Sequence, residues 1–168
     1  MQLVKEKIPA LLGHLAKMAD LYVPVTTDGI TEFVLWQGEG TPIDFTAVNS
    51  KLPPKDLLFP QAEDLYRYQV IGQQITELQE VITEKAQVLF GIRSCDMASI
   101  QCMDDVFLTK GYVDSFYQRR REGLLTIAIA CAKVLPTCFC DSMGLNPQKA
   151  TGADIQLLPT AVGYNVIA

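Results

Sequence analysis

Cys95, Cys131, Cys138 and Cys140 are the residues whose type and spacing could do chemistry in this chain. Gly91-Ile92-Arg93-Ser94-Cys95-Asp96 follows a short apolar run, and a second apolar run some thirty residues later ends in Cys131. Cys138-Phe139-Cys140-Asp141-Ser142-Met143-Gly144 comes soon after. A 4Fe-4S cluster needs four soft, anionic ligands converging from different directions, and thiolates meet that need. The Cys-x-Cys pair is shorter than the two to four intervening residues usual in zinc knuckles. It also differs from the Cys-x2-Cys-x2-Cys run of bacterial ferredoxins. On pattern alone three readings stay open: a cluster site, structural zinc, and ordinary or redox-active thiols. The fifth cysteine, Cys102, reads as a small hydrophobe on a helix facing the sheet.

The elements that must bring these thiols together follow from periodicity. Gln87–Ile92 and Leu124–Ala130 are compact apolar runs, the second nearly continuous, as expected of a strand covered on both faces. Between them lie helices from about Asp96, with Ala98, Ile100, Met103, Val106 and Phe107 as core candidates, and from Tyr112 to Arg121. Strand, helices, strand makes a right-handed βαβ crossover. Its two strands end side by side, which brings Cys95 and Cys131 to one edge, where α/β proteins build their sites. Asp96 is placed to cap its helix, and Asp141, beside Cys140, invites the same reading or a hydrogen bond to a ligand. Backbone N–H groups around Asp96–Ala98 and Ser142–Gly144 are available to cluster sulfurs.

Upstream, Ile8, Leu11, Leu12, Leu15 and Met18 predict an amphipathic helix over about Lys5–Ala19, with Pro9 confined to its first turn. Tyr22–Val25 and Ile30–Gln37, joined at Thr27-Asp28-Gly29, predict an antiparallel hairpin in which Trp36 packs into the core rather than against a flavin or a base. Gly38–Pro54 is loop, Gln61–Tyr68 reads as helix, and Ala153–Leu158 and Val162–Ile167 as two last strands. The expected fold class is α/β: a mixed sheet with a parallel βαβ core, helices packed on it, and a small antiparallel N-terminal hairpin. One domain spans 1–168, with a helix-plus-hairpin lobe at 1–52 and the parallel-sheet core carrying the cysteine site at 53–168.

The chain has 168 residues, 49% of them hydrophobic, enough to bury a core. A net charge of −5 argues against a nucleic-acid or anionic-membrane face. Arg119-Arg120-Arg121, beside Glu122, is the one basic run and reads as a solvated helix end, with a docking or anion contact as the alternative. His14, the single histidine, falls among polar helix positions; Lys55 reads as solvated. No apolar run approaches the ~20 residues of a membrane helix, and the N-terminus does not resemble a signal peptide. A cytoplasmic location is expected, where spaced cysteines serve metals or catalysis more often than disulfides. A remote single histidine leaves no Ser-His-Asp set, and there is no Gly-x-Gly-x-x-Gly or Walker lysine.

Several segments together resemble the iron–sulfur subunit that sulfhydrogenase-type nickel–iron hydrogenases, as their beta subunit, share with anaerobic sulfite reductases. They are Pro53-Pro54-Lys55 with Phe59-Pro60, Gly91–Asp96, Asp104-Asp105-Val106-Phe107, Phe116-Tyr117 with Arg120-Arg121-Glu122, Cys138–Gly144 and Gly152–Leu157. Cys-Phe-Cys-x-Ser-Met-Gly is the most specific of them. Ser94 stands where that family often has proline. The resemblance implies an electron-transfer component working between two partners, a catalytic hydrogenase or reductase subunit and a flavin-containing NAD(P)H-oxidising subunit. In that family this region precedes a ferredoxin-like part with two four-iron clusters, and no cysteine follows Cys140 here. The remaining readings are a subunit-docking domain with zinc or free thiols, and a flavin- or nucleotide-binding α/β domain at the same strand edge.

Overall fold

The computed structural model describes residues 1–81 and 85–168. Its main sheet is built from β1 (Gln2–Val4), β2 (Asp20–Thr27), β3 (Ile30–Leu35), β6 (Gln87–Ile92), β7 (Leu124–Ile129), β8 (Ile155–Pro159) and β9 (Gly163–Ile167). These seven strands lie in the order β1-β9-β8-β7-β6-β2-β3. The pairs β2–β6, β6–β7 and β7–β8 are parallel, and antiparallel strands finish both edges. The expected mixed sheet with a parallel core is therefore present. The N-terminal hairpin β2–β3 is continuous with it, because β2 pairs directly with β6.

Side chains alternate across the central strands and build a core on each face. On one face Val88, Phe90, Ile127, Ile129 and Leu157 pack with Ile8 and Leu12 of α1 (Ile8–Met18). On the other, Leu89, Ile92, Leu124 and Ala128 pack with Met97 and Ile100 of α2 (Ser94–Asp104) and Tyr117 of α3 (Ser115–Glu122). Helix α1 begins at Ile8 rather than Lys5, after a 3-10 turn at Lys5–Lys7, and Pro9 falls in its first turn as expected. Phe90 and Ile92 would share a face in a regular strand. The register shifts between them, and Gly91, at φ 89°, supplies the extra residue. Ile92 is thereby turned to the α2 side.

Three expectations fail here. Gln61–Tyr68 does not form a helix: Tyr66–Ile71 is β4, which pairs with β5 (Gln74–Glu80) in a separate two-stranded hairpin. Tyr66, Tyr68 and Val70 alternate with Arg67 and Gln69 and lead into Gly72 at φ 65°, which is strand-and-turn chemistry. Val106 is 52% exposed, because α2 widens into a π-turn at Asp105–Thr109 that rotates it away from the core. Cys102 is exposed as well; with Met97 and Ile100 facing the sheet, a residue two positions past Ile100 points about 200° away.

The arginine run is also not simply solvated. Arg119 pairs with Glu80 at 2.9 Å, Arg120 with Glu63 at 2.5 Å and the Leu58 carbonyl at 2.6 Å, and Arg121 with Asp104 at 3.0 Å. With Tyr66 edge-on to Phe116, these contacts tie the base of the β4–β5 hairpin and the Pro54–Leu57 turn to α3. His14 is exposed and Trp36 packs against the α1-side core, both as expected.

Strand β1 approaches β9 so closely that a Cβ on Gly163 would overlap the Leu3 carbonyl oxygen and lie 2.9 Å from Val4 Cα. Replacing Gly163 by alanine should cost about 3 kcal/mol, as overpacking against backbone that cannot yield. Gly40→Ala, with open space around it, should stay within about 0.5 kcal/mol. Urea unfolding of both variants measures the difference.

Candidate functional site

The parallel strands β6 and β7 end at the same edge of the sheet, and the cysteines leave from there. Cys95 is the second residue of α2, directly after β6, and Cys131 follows β7 by one residue past Ala130. Cys138 and Cys140 lie in the loop after Cys131, which is wound into turns. Cys138 N–H donates to the Leu135 carbonyl, Leu145 N–H to the Cys140 carbonyl, and Gly144 closes a 3-10 turn at Asp141–Met143 in the left-handed region. Asn49 Nδ2 donates to Thr137 Oγ1 at 2.9 Å, fastening the loop after β3 to this segment.

All four cysteines, half-buried, line one cavity of about 220 Å³, together with Asn49, Lys133, Asp141 and apolar side chains. All five thiols of the chain are free. Among the described residues no three His, Cys, Asp or Glu side chains form a group that could hold a metal ion. The four sulfurs thus share one cavity without being drawn in around a common point. Donor chemistry nonetheless fits a soft metal: four thiols and an available amide, Leu135 N–H, which donates to Cys138 Sγ at 3.3 Å.

Burial at this edge disfavours the thiolates of Cys95 and Cys131. Burial pushes the Cys95 thiol up to about 12, with the neighbouring Asp96, Cys140 and Cys131 adding to the shift. Cys131 is also raised by burial, opposed by the nearby Arg93 guanidinium. Desolvation disfavours the thiolate in both cases. A metal at this site therefore has to displace protons, which ties its binding to pH.

Arg93 is the residue that sequence reading missed. It is 4% exposed and sits immediately before α2. Its Nη1 donates to the carbonyls of Ile129 at 2.9 Å and Ala130 at 3.3 Å, and its Nη2 to the Phe45 carbonyl at 2.9 Å. The guanidinium thus joins the ends of β6 and β7 and the loop after β3 beneath the cysteine cavity. The Gly-Ile-Arg-Ser-Cys string marked this segment, but the bulge at Gly91 and a helix start two residues ahead of Asp96 were not read from it, and nothing in its composition says the arginine turns inward.

Asp96 does not occupy the capping position itself. It is the third residue of α2, and its carboxylate accepts the Arg93 N–H at 3.3 Å, the return bond of a capping box. Burial pushes its carboxyl up to about 6, partly opposed by that hydrogen bond and by the Arg93 charge. Ser94 opens the helix, buried, with no partner for its hydroxyl among the described residues. Proline suits that first helical position, and Arg93 already holds an extended conformation (φ −102°, ψ 166°) compatible with a following proline.

Two outcomes follow. Between about pH 4 and pH 6 the folded metal-free protein holds a proton on Asp96 that the unfolded chain has released, so stability falls as pH rises, by up to about 3 kcal/mol. Asp96→Asn should remove that slope in urea titrations across this range. Ser94→Pro should leave stability unchanged or raise it by about 0.5–1 kcal/mol; a loss above 1 kcal/mol would show that the Ser94 N–H or hydroxyl has work of its own.

No protein-family model matches the chain, and no solved structure does. The sulfhydrogenase 2 subunit beta of Pyrococcus furiosus is 29% identical to it over 146 residues, a stretch covering 85% of this chain. That stretch is 40% of the subunit, so the chain spans well under half the length of the curated relative it matches. The chain is thus similar to that subunit along most of its own length.

Proposed function

We propose that this chain is an electron-transfer domain of a multisubunit redox enzyme of hydrogenase or sulfur/sulfite reductase type, and that Cys95, Cys131, Cys138 and Cys140 hold a 4Fe-4S cluster. The observation that carries the reading is the convergence of these four thiols on one cavity at the ends of the parallel strands. The likeness to a sulfhydrogenase beta subunit supports the redox setting.

A cluster bound here supplies one-electron storage. This chain's own residues would set its environment. The Leu135 N–H directed at Cys138 and the positive charges of Arg93 and Lys133 favour the more reduced, more negative state. To hold the cluster, the Cys138–Cys140 loop would have to draw toward Cys95 and Cys131. Val134, Phe139 and Met143, exposed by 71%, 60% and 65%, surround the loop with apolar surface that a partner would cover. Its partners in this reading are a catalytic hydrogenase or reductase subunit and a flavin-containing NAD(P)H-oxidising subunit. Among the described residues no helix is long and apolar enough to cross a membrane.

Anaerobic reconstitution with iron and sulfide tests the site. The protein should turn brown with broad absorbance near roughly 400 nm that dithionite bleaches. Cys140→Ser should lose the bound iron while Cys102→Ser, on the outer face of α2, keeps it. Equal iron in the two variants would overturn the ligand set. Colourless protein with stoichiometric zinc would favour the docking-domain reading of the same four thiols.

A further inference from the structure

A second, larger depression runs beside the cysteine cavity and shares its wall. One part, of about 480 Å³, is mostly apolar: Ile8 and Leu12 of α1, Trp36, Ile43 and Phe45 line it, together with Lys5 and Glu39. The adjoining part, of about 470 Å³, contains Lys5, Arg93 and Lys133, with the hydroxyls of Thr46 and Thr160, and no acid among its described lining residues. Lys5, Phe45, Thr46 and Tyr164 belong to both parts. Cys131 and Lys133 are common to the cationic part and the cysteine cavity.

Three cations with no lining acid are unexpected in a chain of net charge −5. Arg93 sharpens the point. Its guanidinium is buried, and among the described residues its Nε has no hydrogen-bond partner and no carboxylate forms an ion pair with it. The nearby Asp44 carboxylate is instead engaged by Thr26 and Thr46, and Asp96 by the Arg93 backbone. A buried positive charge bonded only to carbonyls leaves a field into the depression that an anion would satisfy. An anion alone does not need the apolar, aromatic half. A flat apolar body joined to a phosphate matches both halves in chemistry, and their combined size falls in the range of small-molecule sites.

We propose that this depression binds a phosphorylated planar heteroaromatic compound of mononucleotide size. The ring system lies between Trp36 and Phe45, and the phosphate lies between Lys5, Lys133 and the Arg93 guanidinium. The site adjoins the thiol ligand set and shares Cys131 with its wall, but the ring and phosphate contacts proposed for it do not depend on the cysteines holding a cluster.

Trp36 is the single tryptophan, so its emission reports on the apolar half directly. The full chain is titrated with flavin mononucleotide and with adenosine monophosphate by calorimetry, and with the flavin also by Trp36 emission. Riboflavin and adenosine, which lack the phosphate, serve as the paired controls. At least one of the two phosphorylated probes should bind saturably, about tenfold or more tighter than its control, since a charge-assisted phosphate contact is lost in the control. Lys5→Ala with Lys133→Ala, both at exposed positions, should weaken that probe to the level of its control and leave the control unchanged. Raising the salt concentration should act in the same direction. Failure of both phosphorylated probes to bind at about 1 mM overturns the proposal. So does binding that ignores both the phosphate and the two lysines. Performing the titration on Cys140→Ser separates the two sites: loss of iron with retained ligand binding keeps this inference and leaves the cluster reading to its own test.

Discussion

A single buried guanidinium holds the working edge of this protein together. Arg93 takes carbonyls from the end of β7 and from the loop after β3 while its own backbone begins α2. Burying a charge without a paired carboxylate is expensive, and three carbonyl contacts offset only part of that cost. In return the same side chain satisfies the strand-end carbonyls of Ile129 and Ala130. Cys95 lies two residues after it and Cys131 one residue after the Ala130 carbonyl it holds. Where the guanidinium sits therefore fixes where both thiols begin.

The parallel core was legible because its signals are strong and redundant. Gln87–Ile92 and Leu124–Ala130 are too short for helices and too uniformly apolar for exposed strands, and the residues between them suffice for a crossover. Convergence of Cys95 and Cys131 on one edge follows from that topology alone. The cavity also collects Cys138 and Cys140, which the strand argument did not place.

What escaped did so for identifiable reasons. The β4–β5 hairpin packs little of itself against the body, and every residue of both strands is exposed, so the burial that makes an alternating pattern meaningful is missing. Arg119, Arg120 and Arg121 meet Glu80, Glu63 and Asp104, acids 39, 57 and 17 residues away. Nothing local announces such partners. Arg93 is the same case in the interior: charge predicts exposure on average, and only the three-dimensional supply of carbonyls reverses it. The overall acidity of the chain likewise said nothing of the cationic recess, because net charge averages over a surface on which cations can gather in one place.

The pairing of β1 with β9 carries a consequence for how the molecule comes into being. Gln2, Leu3 and Val4 find their hydrogen-bonding partners only at Asn165, Tyr164 and Gly163. During synthesis β1 must wait until residues 163–165 have left the ribosome before it has its partner in this sheet. Closing so long a loop is an entropic toll met late, after the central strands have assembled. Until that moment α1 is tethered on its N-terminal side to an unanchored tail, and the sheet remains open along the flank of β9.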